Sequence, residues 1–122
     1  MSDVEKKLLL ICRRAPDGNP LARAALDVAL AAAAFDRPLS VLFMDDGVWQ
    51  LLPGQSASSI DAKSVRATLD SLPLYDIEQF HVCGESLEDR GIELNTLPGE
   101  LVALDSATLG PFIESHDQVL SF

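Results

Sequence analysis

The stretch LLLIC, Leu8–Cys12, is apolar at every position and gives the first indication of the architecture. A half-exposed strand alternates apolar and polar side chains, whereas a strand covered on both faces is apolar throughout. The stretch therefore predicts a buried strand with helices packed on both sides of its sheet. The turn sequence PDGN follows at 16–19, and Pro20 suits the first position of a helix that reaches about Phe35.

Strand and helix patterns alternate along the rest of the chain. Further strands are predicted at 39–44, at 77–83, at 101–104 and at the chain end, 119–122. Helices are predicted from Ser58 to just before Pro73, at 84–90, and after Asp105, the last with an interruption at Gly110-Pro111. This alternation indicates one α/β domain over residues 1–122, with a parallel sheet between two helix layers.

Composition excludes several classes of protein. The chain has 122 residues, of which 48% are hydrophobic, so it can bury a core. Its net charge is −10, and no basic residue follows Arg90, so direct binding of nucleic acid is not expected. The acidic surface is either that of an ordinary soluble domain or a docking surface for a basic protein partner.

No membrane association is expected, because the longest apolar run, Val28–Phe35, is far too short to cross a bilayer. The first residues make a poor export signal, so we expect a cytoplasmic protein. In that compartment Cys12 and Cys83 are expected to be thiols. Their spacing relative to His81 and His116 does not suit a metal site, and glycine-rich phosphate loops are absent, so no metal or cofactor is predicted.

Reactive groups in such sheets gather where the strands end. Cys83 is predicted to lie between a strand and the N-terminus of a helix, where backbone N–H groups favour the nucleophilic thiolate. Glu85 and its acidic neighbours in that helix oppose this effect. Cys83 is therefore either a sulfur nucleophile or an ordinary half-buried cysteine, whereas Cys12, inside an apolar run, is predicted to pack as a small hydrophobic residue. Asp45-Asp46 is interpreted as a turn rather than as a pair of catalytic acids.

The only tryptophan, Trp49, lies in an apolar patch with Leu51 and Leu52. Such a patch is either part of the core or, if it is exposed, an interface with another protein, because tryptophan is enriched at interfaces. The sequence leaves both interpretations open.

Several segments together resemble the TusC/DsrF family of sulfur-relay proteins. The most specific segment is FMDDGVWQLLPGQ at 43–55. Others are LYDIEQ at 74–79, the Val-Cys pair at 82–83, Ser-Leu at 86–87, Arg-Gly at 90–91 and DQVLSF at 117–122. The resemblance covers nearly the whole chain.

The resemblance implies a fold, a function and a set of partners. The fold is a three-layer α/β/α sandwich with a five-stranded parallel sheet. Members are expected to work with TusB-like and TusD-like subunits in a pair of heterotrimers. The complex receives persulfide sulfur from a donor protein and passes it to an acceptor protein. In one branch the sulfur ends as the 2-thio group of wobble uridine in tRNA, whereas the DsrEFH branch serves dissimilatory sulfur oxidation.

The family pattern also bears on Cys83, which occupies a place similar to that of the sulfur-accepting cysteine in the TusD/DsrE subunits. Those subunits have small apolar residues next, whereas this chain has GESL at 84–87, and a glutamate beside a persulfide anion is unfavourable. We therefore expect a structural, non-catalytic subunit with Trp49, Leu51 and Leu52 as contact residues. The alternatives are that Cys83 itself carries sulfur, or that the chain is an adaptor unrelated to sulfur.

Overall fold

The computed structural model describes residues 7–15, 20–35, 37–52, 70–75, 79–97 and 100–122. Within these ranges, five parallel strands form one sheet in the order β4-β3-β2-β1-β5. The strands are β1 (Leu8–Cys12), β2 (Leu39–Phe43), β3 (Gln79–Cys83), β4 (Glu100–Leu104) and β5 (Gln118–Ser121). The α-helices are α1 (Pro20–Ala34), α2 (Gly84–Asp89) and α3 (Ser106–Glu114), and 3₁₀ helices cover Asp45–Leu51, Leu72–Tyr75 and Leu94–Thr96.

The first strand is buried on both faces, as its composition predicts. All five residues of β1 are buried, and β2 and β5 flank it on either side. In this register Leu10 lies between Val41 and Leu120. An apolar residue at every position is required here because both surfaces of the strand are covered.

Helices cover both faces of the sheet, which makes the fold a three-layer α/β sandwich. On one side, the α1 face, Leu8 and Leu10 pack with Ala25, Leu26 and Ala29 of the first helix. On the other side, the α3 face, a smaller cluster packs against the last helix. The α3 face contains Leu9, Ile11, Leu42 and Leu104, with Leu109, Phe112 and Ile113 of α3 packed over them.

The buried stripe of α1 agrees in part with the helical period, which puts Leu21, Ala25, Val28 and Ala32 on one face. Ala25 is fully buried, and Val28 and Ala32 pack against the same core, but Leu21 is 38% exposed and Leu26 and Ala29 are also fully buried. In a helix this rich in alanine, apolar residues occur on all sides, so periodicity alone does not fix the limits of the buried side.

The predicted interruption of the last helix at Gly110-Pro111 is wrong, because α3 continues through both residues. A residue before proline normally avoids helical geometry because its Cβ clashes with the proline ring, and Gly110 has no Cβ. Both residues are exposed, so solvent can satisfy the backbone carbonyl that proline leaves without a donor. The helix predicted from Ser58 lies outside the described residues up to position 69, and so do positions 77–78 of the 77–83 segment.

The described helices include none with the length and apolar character needed to span a membrane.

Candidate functional site

The carboxyl edge of the sheet brings together the ends of four neighbouring strands. Register pairs Cys12 with Phe43, and Cys83 with Leu104, so the residues after β1, β2, β3 and β4 emerge side by side. Ligand and reaction sites of parallel sheets lie at this edge. The groups expected there from the sequence are indeed assembled in the fold.

A close backbone contact explains the glycine of the segment Asp45–Gly47, here called the DDG loop. The N–H of Met44 donates to the carbonyl of Cys12 at 3.1 Å, which brings the chain after β2 against the end of β1. A Cβ on Gly47 would lie 1.8 Å from that carbonyl oxygen and 2.5 Å from its carbon. Only glycine fits at this approach.

The first aspartate of the DDG loop has an unusual backbone conformation. Asp45 has a φ of 53°, in the left-handed region that aspartate tolerates better than most residues. Its backbone N–H donates to the Ser86 hydroxyl at 2.9 Å, and Ser86 is only 5% exposed. Its carboxylate accepts from the Arg13 Nε at 2.8 Å. The DDG loop is therefore tied to the end of β1 and to α2.

The second aspartate binds a different arginine. Nε and Nη2 of Arg90 donate to one carboxylate oxygen of Asp46 at 3.2 and 3.1 Å. Nη1 of the same arginine donates to the Ser86 carbonyl at 3.2 Å. Each carboxylate of the pair thus has its own guanidinium partner, as expected for a turn and not for two acids that share a proton.

Cys83 is the last residue of β3 and the N-cap residue of α2, as the sequence predicts. It is 6% exposed, and it lies beside Leu104 of β4. Glu85 is exposed in the first turn of α2. The helix has only six residues, so its N-terminal dipole is that of little more than one turn. The cysteine is enclosed and has a carboxylate on its own helix.

Cys12 packs as a small hydrophobic residue, which confirms the prediction for it. It is 1% exposed within the α1-face core, and burial raises the pKa of its thiol to about 12. At neutral pH this thiol is protonated and inert as a nucleophile.

The predicted contact residues differ in exposure. Trp49 and Leu52 are half-buried, whereas Leu51 is 3% exposed and belongs to the α1-face core. Between them, Gln50 is buried and donates from its side-chain Nε2 to the Arg14 carbonyl at 2.7 Å. An interface at this 3₁₀ helix and its C-cap residue would therefore use Trp49 and Leu52, whereas Leu51 packs in the core beneath them.

Asp105, which follows β4, forms a helix cap. Its carboxylate accepts from the backbone N–H groups of Ala107 and Thr108 at 3.0 and 2.9 Å, and Thr108 closes a capping box. The Thr108 hydroxyl is the largest cause of a lowered pKa for this carboxyl, and the backbone N–H groups add to it. The residue stabilises the start of α3.

Sequence reasoning missed Ser86 and Gln50 as parts of this edge. A polar residue inside an otherwise apolar segment, VWQLL at 48–52, was the available signal for Gln50. Ser86 had no such signal, because serine in the first turn of a short helix is common. Within the described ranges, no group of three histidine, cysteine or acidic side chains could hold a metal ion.

Comparison with known proteins identifies relatives over nearly the whole chain. A family model described as the DsrE/DsrF-like family matches residues 6–122. A protein TusC homolog of Pseudomonas aeruginosa is 38% identical over 118 residues, covering 97% of this chain and 99% of that protein. Protein TusC of Escherichia coli K12 is 38% identical, covering 96% and 99%. The crystal structure of the ychN protein from E. coli has the same fold, with a TM-score of 0.80 at 23% identity over 96% of this chain and 99% of that one.

Proposed function

Because the chain belongs to the DsrE/DsrF-like family, we propose that it is a structural subunit of a cytoplasmic sulfur-relay complex for 2-thiolation of wobble uridine in tRNA. The observation that carries this proposal is its 38% identity to TusC proteins over nearly their full length. The same relatives favour the tRNA branch over dissimilatory sulfur oxidation.

The geometry of the carboxyl edge supports a structural role. Two arginines of this edge, Arg13 and Arg90, bind Asp45 and Asp46 of the DDG loop. Their charge is used to hold a loop and is not directed at a sulfur anion. Cys83 is 6% exposed, which limits the approach of a donor protein.

The partners in this proposal are a TusB-like and a TusD-like subunit, in two copies of a heterotrimer. The sulfur would be carried by a cysteine of a partner subunit, whose thiolate attacks the terminal sulfur of a donor persulfide and releases the donor as a thiolate. In this chain, Trp49 and Leu52 are the proposed contact residues, since aromatic and aliphatic anchors dominate interfaces.

A second candidate function follows from the position of Cys83 at the carboxyl end of β3. In that case its thiolate attacks the terminal sulfur of the donor persulfide, the donor leaves as a thiolate, and Cys83 becomes the persulfide. Transfer to an acceptor thiolate reverses the roles, and no external oxidant is needed.

Copurification tests the structural role. The tagged chain is expressed in its native cell as wild type or as the Cys83→Ser variant. The proteins that copurify with it and the thiolation of wobble uridine are then measured. A structural subunit retains the TusB-like and TusD-like partners and normal thiolation in the Cys83→Ser variant. An intact complex with thiolation lost would instead assign the chemistry to Cys83, and absence of both partners would contradict the proposal.

Mass spectrometry separates the two roles of Cys83 directly. The Cys12→Ala variant leaves Cys83 as the single thiol of the chain, so any added mass has one possible location. After incubation with a persulfide donor, a structural subunit gains no sulfur. Gain of one reductant-sensitive sulfur atom, at a rate compatible with thiolation, would support the carrier role instead.

A further inference from the structure

An open cavity of about 440 Å³ lies on the α3 face, away from the carboxyl edge. It is bounded by the residues at the start of β1 and β2 and by the end of α3, whereas Cys83 lies where β3 ends. Its volume falls within the range of small-molecule sites in proteins. A ligand here would therefore act at a place separate from the proposed relay chemistry.

The polar lining of this cavity, here called the histidine cavity, consists of basic and neutral groups. It comprises an ammonium, two hydroxyls and two imidazoles: Lys7, Ser40, Ser115, His81 and His116. Among the described residues that line it, none carries a carboxylate. This composition is notable in a chain whose net charge is −10.

Aromatic stacking fixes both imidazoles in place. The Phe112 ring lies between them, with its centroid 4.4 Å from that of His81 and 4.9 Å from that of His116. Nδ1 of His116 lies 2.9 Å from the Phe112 carbonyl oxygen, which can only accept, so this nitrogen carries a proton. That arrangement leaves Nε2 of His116 as the nitrogen that can meet a ligand.

His81 contributes a buried nitrogen that lacks a partner. Its Nδ1 atom is shielded from solvent and has no hydrogen-bond partner among the described residues. Burial lowers the pKa of His81, the Val41 carbonyl opposes this, and the neighbouring His116 adds to the lowering. This nitrogen is enclosed by the protein, so His81 contributes to the cavity through the remainder of its ring.

Lys7 is held at the rim by its backbone. Its N–H donates to the Asp117 carboxylate at 2.8 Å, and its carbonyl accepts from the N–H groups of Asp117 and Gln118 at 2.9 and 3.1 Å. The lysine side chain is exposed and can turn towards a ligand. Asp117 is the nearest carboxylate by these contacts, and one of its oxygens is already bonded to the backbone.

We propose that the histidine cavity binds a small organic anion whose charged end meets Lys7 and Ser40 and whose apolar part lies against Phe112. Ammonium and hydroxyl groups recognise an anionic oxygen by charge-assisted hydrogen bonds. Pro38 extends the apolar wall, which an inorganic ion would leave uncovered. The site is distinct from Cys83, so its occupancy is independent of the proposed function.

The two histidines of the chain are both in this cavity, which makes them site-specific probes. The full-length chain is titrated with benzoate, with benzamide as a neutral molecule of the same shape and with inorganic phosphate as an anion without an apolar part. The imidazole C–H signals are followed by NMR. We expect saturable shifts of both histidines with benzoate, and binding about tenfold weaker for benzamide and for phosphate.

A matched pair of variants tests the role of the lysine. Lys7→Gln should weaken benzoate binding about tenfold, whereas Arg23→Gln, which removes the same charge from exposed α1, should leave it unchanged. Absence of saturation with benzoate, equal binding of benzamide or phosphate, or equal weakening by both variants would overturn the proposal. None of these results would bear on copurification with relay partners.

Discussion

Replacing Gly47 with alanine should strongly destabilise the fold, because the new Cβ has no space. It would lie 1.8 Å from the Cys12 carbonyl oxygen, whereas a carbon and an oxygen in contact are normally about 3.3 Å apart. The DDG loop and the end of β1 must therefore separate by about 1.5 Å. Both sides are backbone, and the Met44 to Cys12 hydrogen bond of 3.1 Å joins them, so no flexible side chain can absorb the movement.

Overpacking of this kind costs about 3 kcal/mol, at the upper end of the usual range. For a chain of this length that corresponds to a melting temperature about 12 °C lower. Urea unfolding of the wild type and the variant, followed by circular dichroism, measures the difference in the free energy of unfolding. The slope with denaturant should stay unchanged if only the folded state is affected.

Gly84→Ala is the matched control for this experiment. Its Cβ would meet the Leu104 carbonyl oxygen at 3.4 Å, which is an ordinary contact, and the residue begins α2, where alanine is favourable. We expect its free energy of unfolding to stay within about 1 kcal/mol of the wild type. If Gly47→Ala cost no more than Gly84→Ala, the close approach of the DDG loop to β1 would be incorrect.

Three further predictions follow from other groups. Ser86→Ala should lower the free energy of unfolding, measured in urea, by about 1–3 kcal/mol, because the Asp45 N–H loses its buried acceptor. Asp45→Asn should lower the free energy of unfolding by less than about 1 kcal/mol, since the ion pair that it removes, with Arg13, is exposed. An equal cost for both would contradict this. Burial raises the pKa of Cys12 from 9.0 to about 12. At pH 8 its thiolate fraction should therefore be about 1000-fold lower in the folded chain than in urea, and its rate of alkylation should fall by the same factor. Comparable rates of Cys12 alkylation in both states would refute its burial. Burial should give His81 a pKa below 6.5, measured by NMR titration. Between that lowered pKa and 6.5 the unfolded chain binds more protons than the folded one, so the contribution of His81 to the free energy of unfolding should fall as the pH drops through this range. A titration midpoint above 6.5 would contradict its burial.

The type of sheet could be predicted from sequence because burial on both sheet faces leaves a direct mark, whereas the strand order leaves none. Leu8–Cys12 is apolar throughout and lies between two other strands, and the parallel five-stranded sheet follows from the alternation of strands and helices. The limits of the buried side of α1 could not be predicted, because alanines occur all around that helix: Ala25 is buried as expected, whereas Leu21 is 38% exposed. The continuity of α3 through Pro111 depended on a steric detail of Gly110 that composition does not reveal.

The position of Cys83 was equally accessible to sequence reasoning, whereas the network around it was not. A strand pattern followed by a helix pattern locates the cysteine at the carboxyl edge. Which arginine binds which aspartate depends on long-range contacts. Arg13 and Asp45 are separated by 32 positions in the sequence, and Asp46 and Arg90 by 44. Such pairings are decided by the packing of the DDG loop on α2 and have no local pattern in the sequence.

That network also links the two candidate roles of Cys83. A persulfide adds a second sulfur atom to a side chain that is 6% exposed, so the start of α2 must move away from its neighbours before sulfur can be received or released. The hydrogen bond from Asp45 to Ser86 and the ion pair of Arg90 with Asp46 oppose this movement, since both join α2 to the DDG loop. A carrier subunit would have to break these contacts in every transfer cycle, whereas a structural subunit gains from keeping them, because they hold the start of the 3₁₀ helix that carries Trp49 and Leu52. The same bonds that enclose the thiol therefore order the surface proposed to meet a partner.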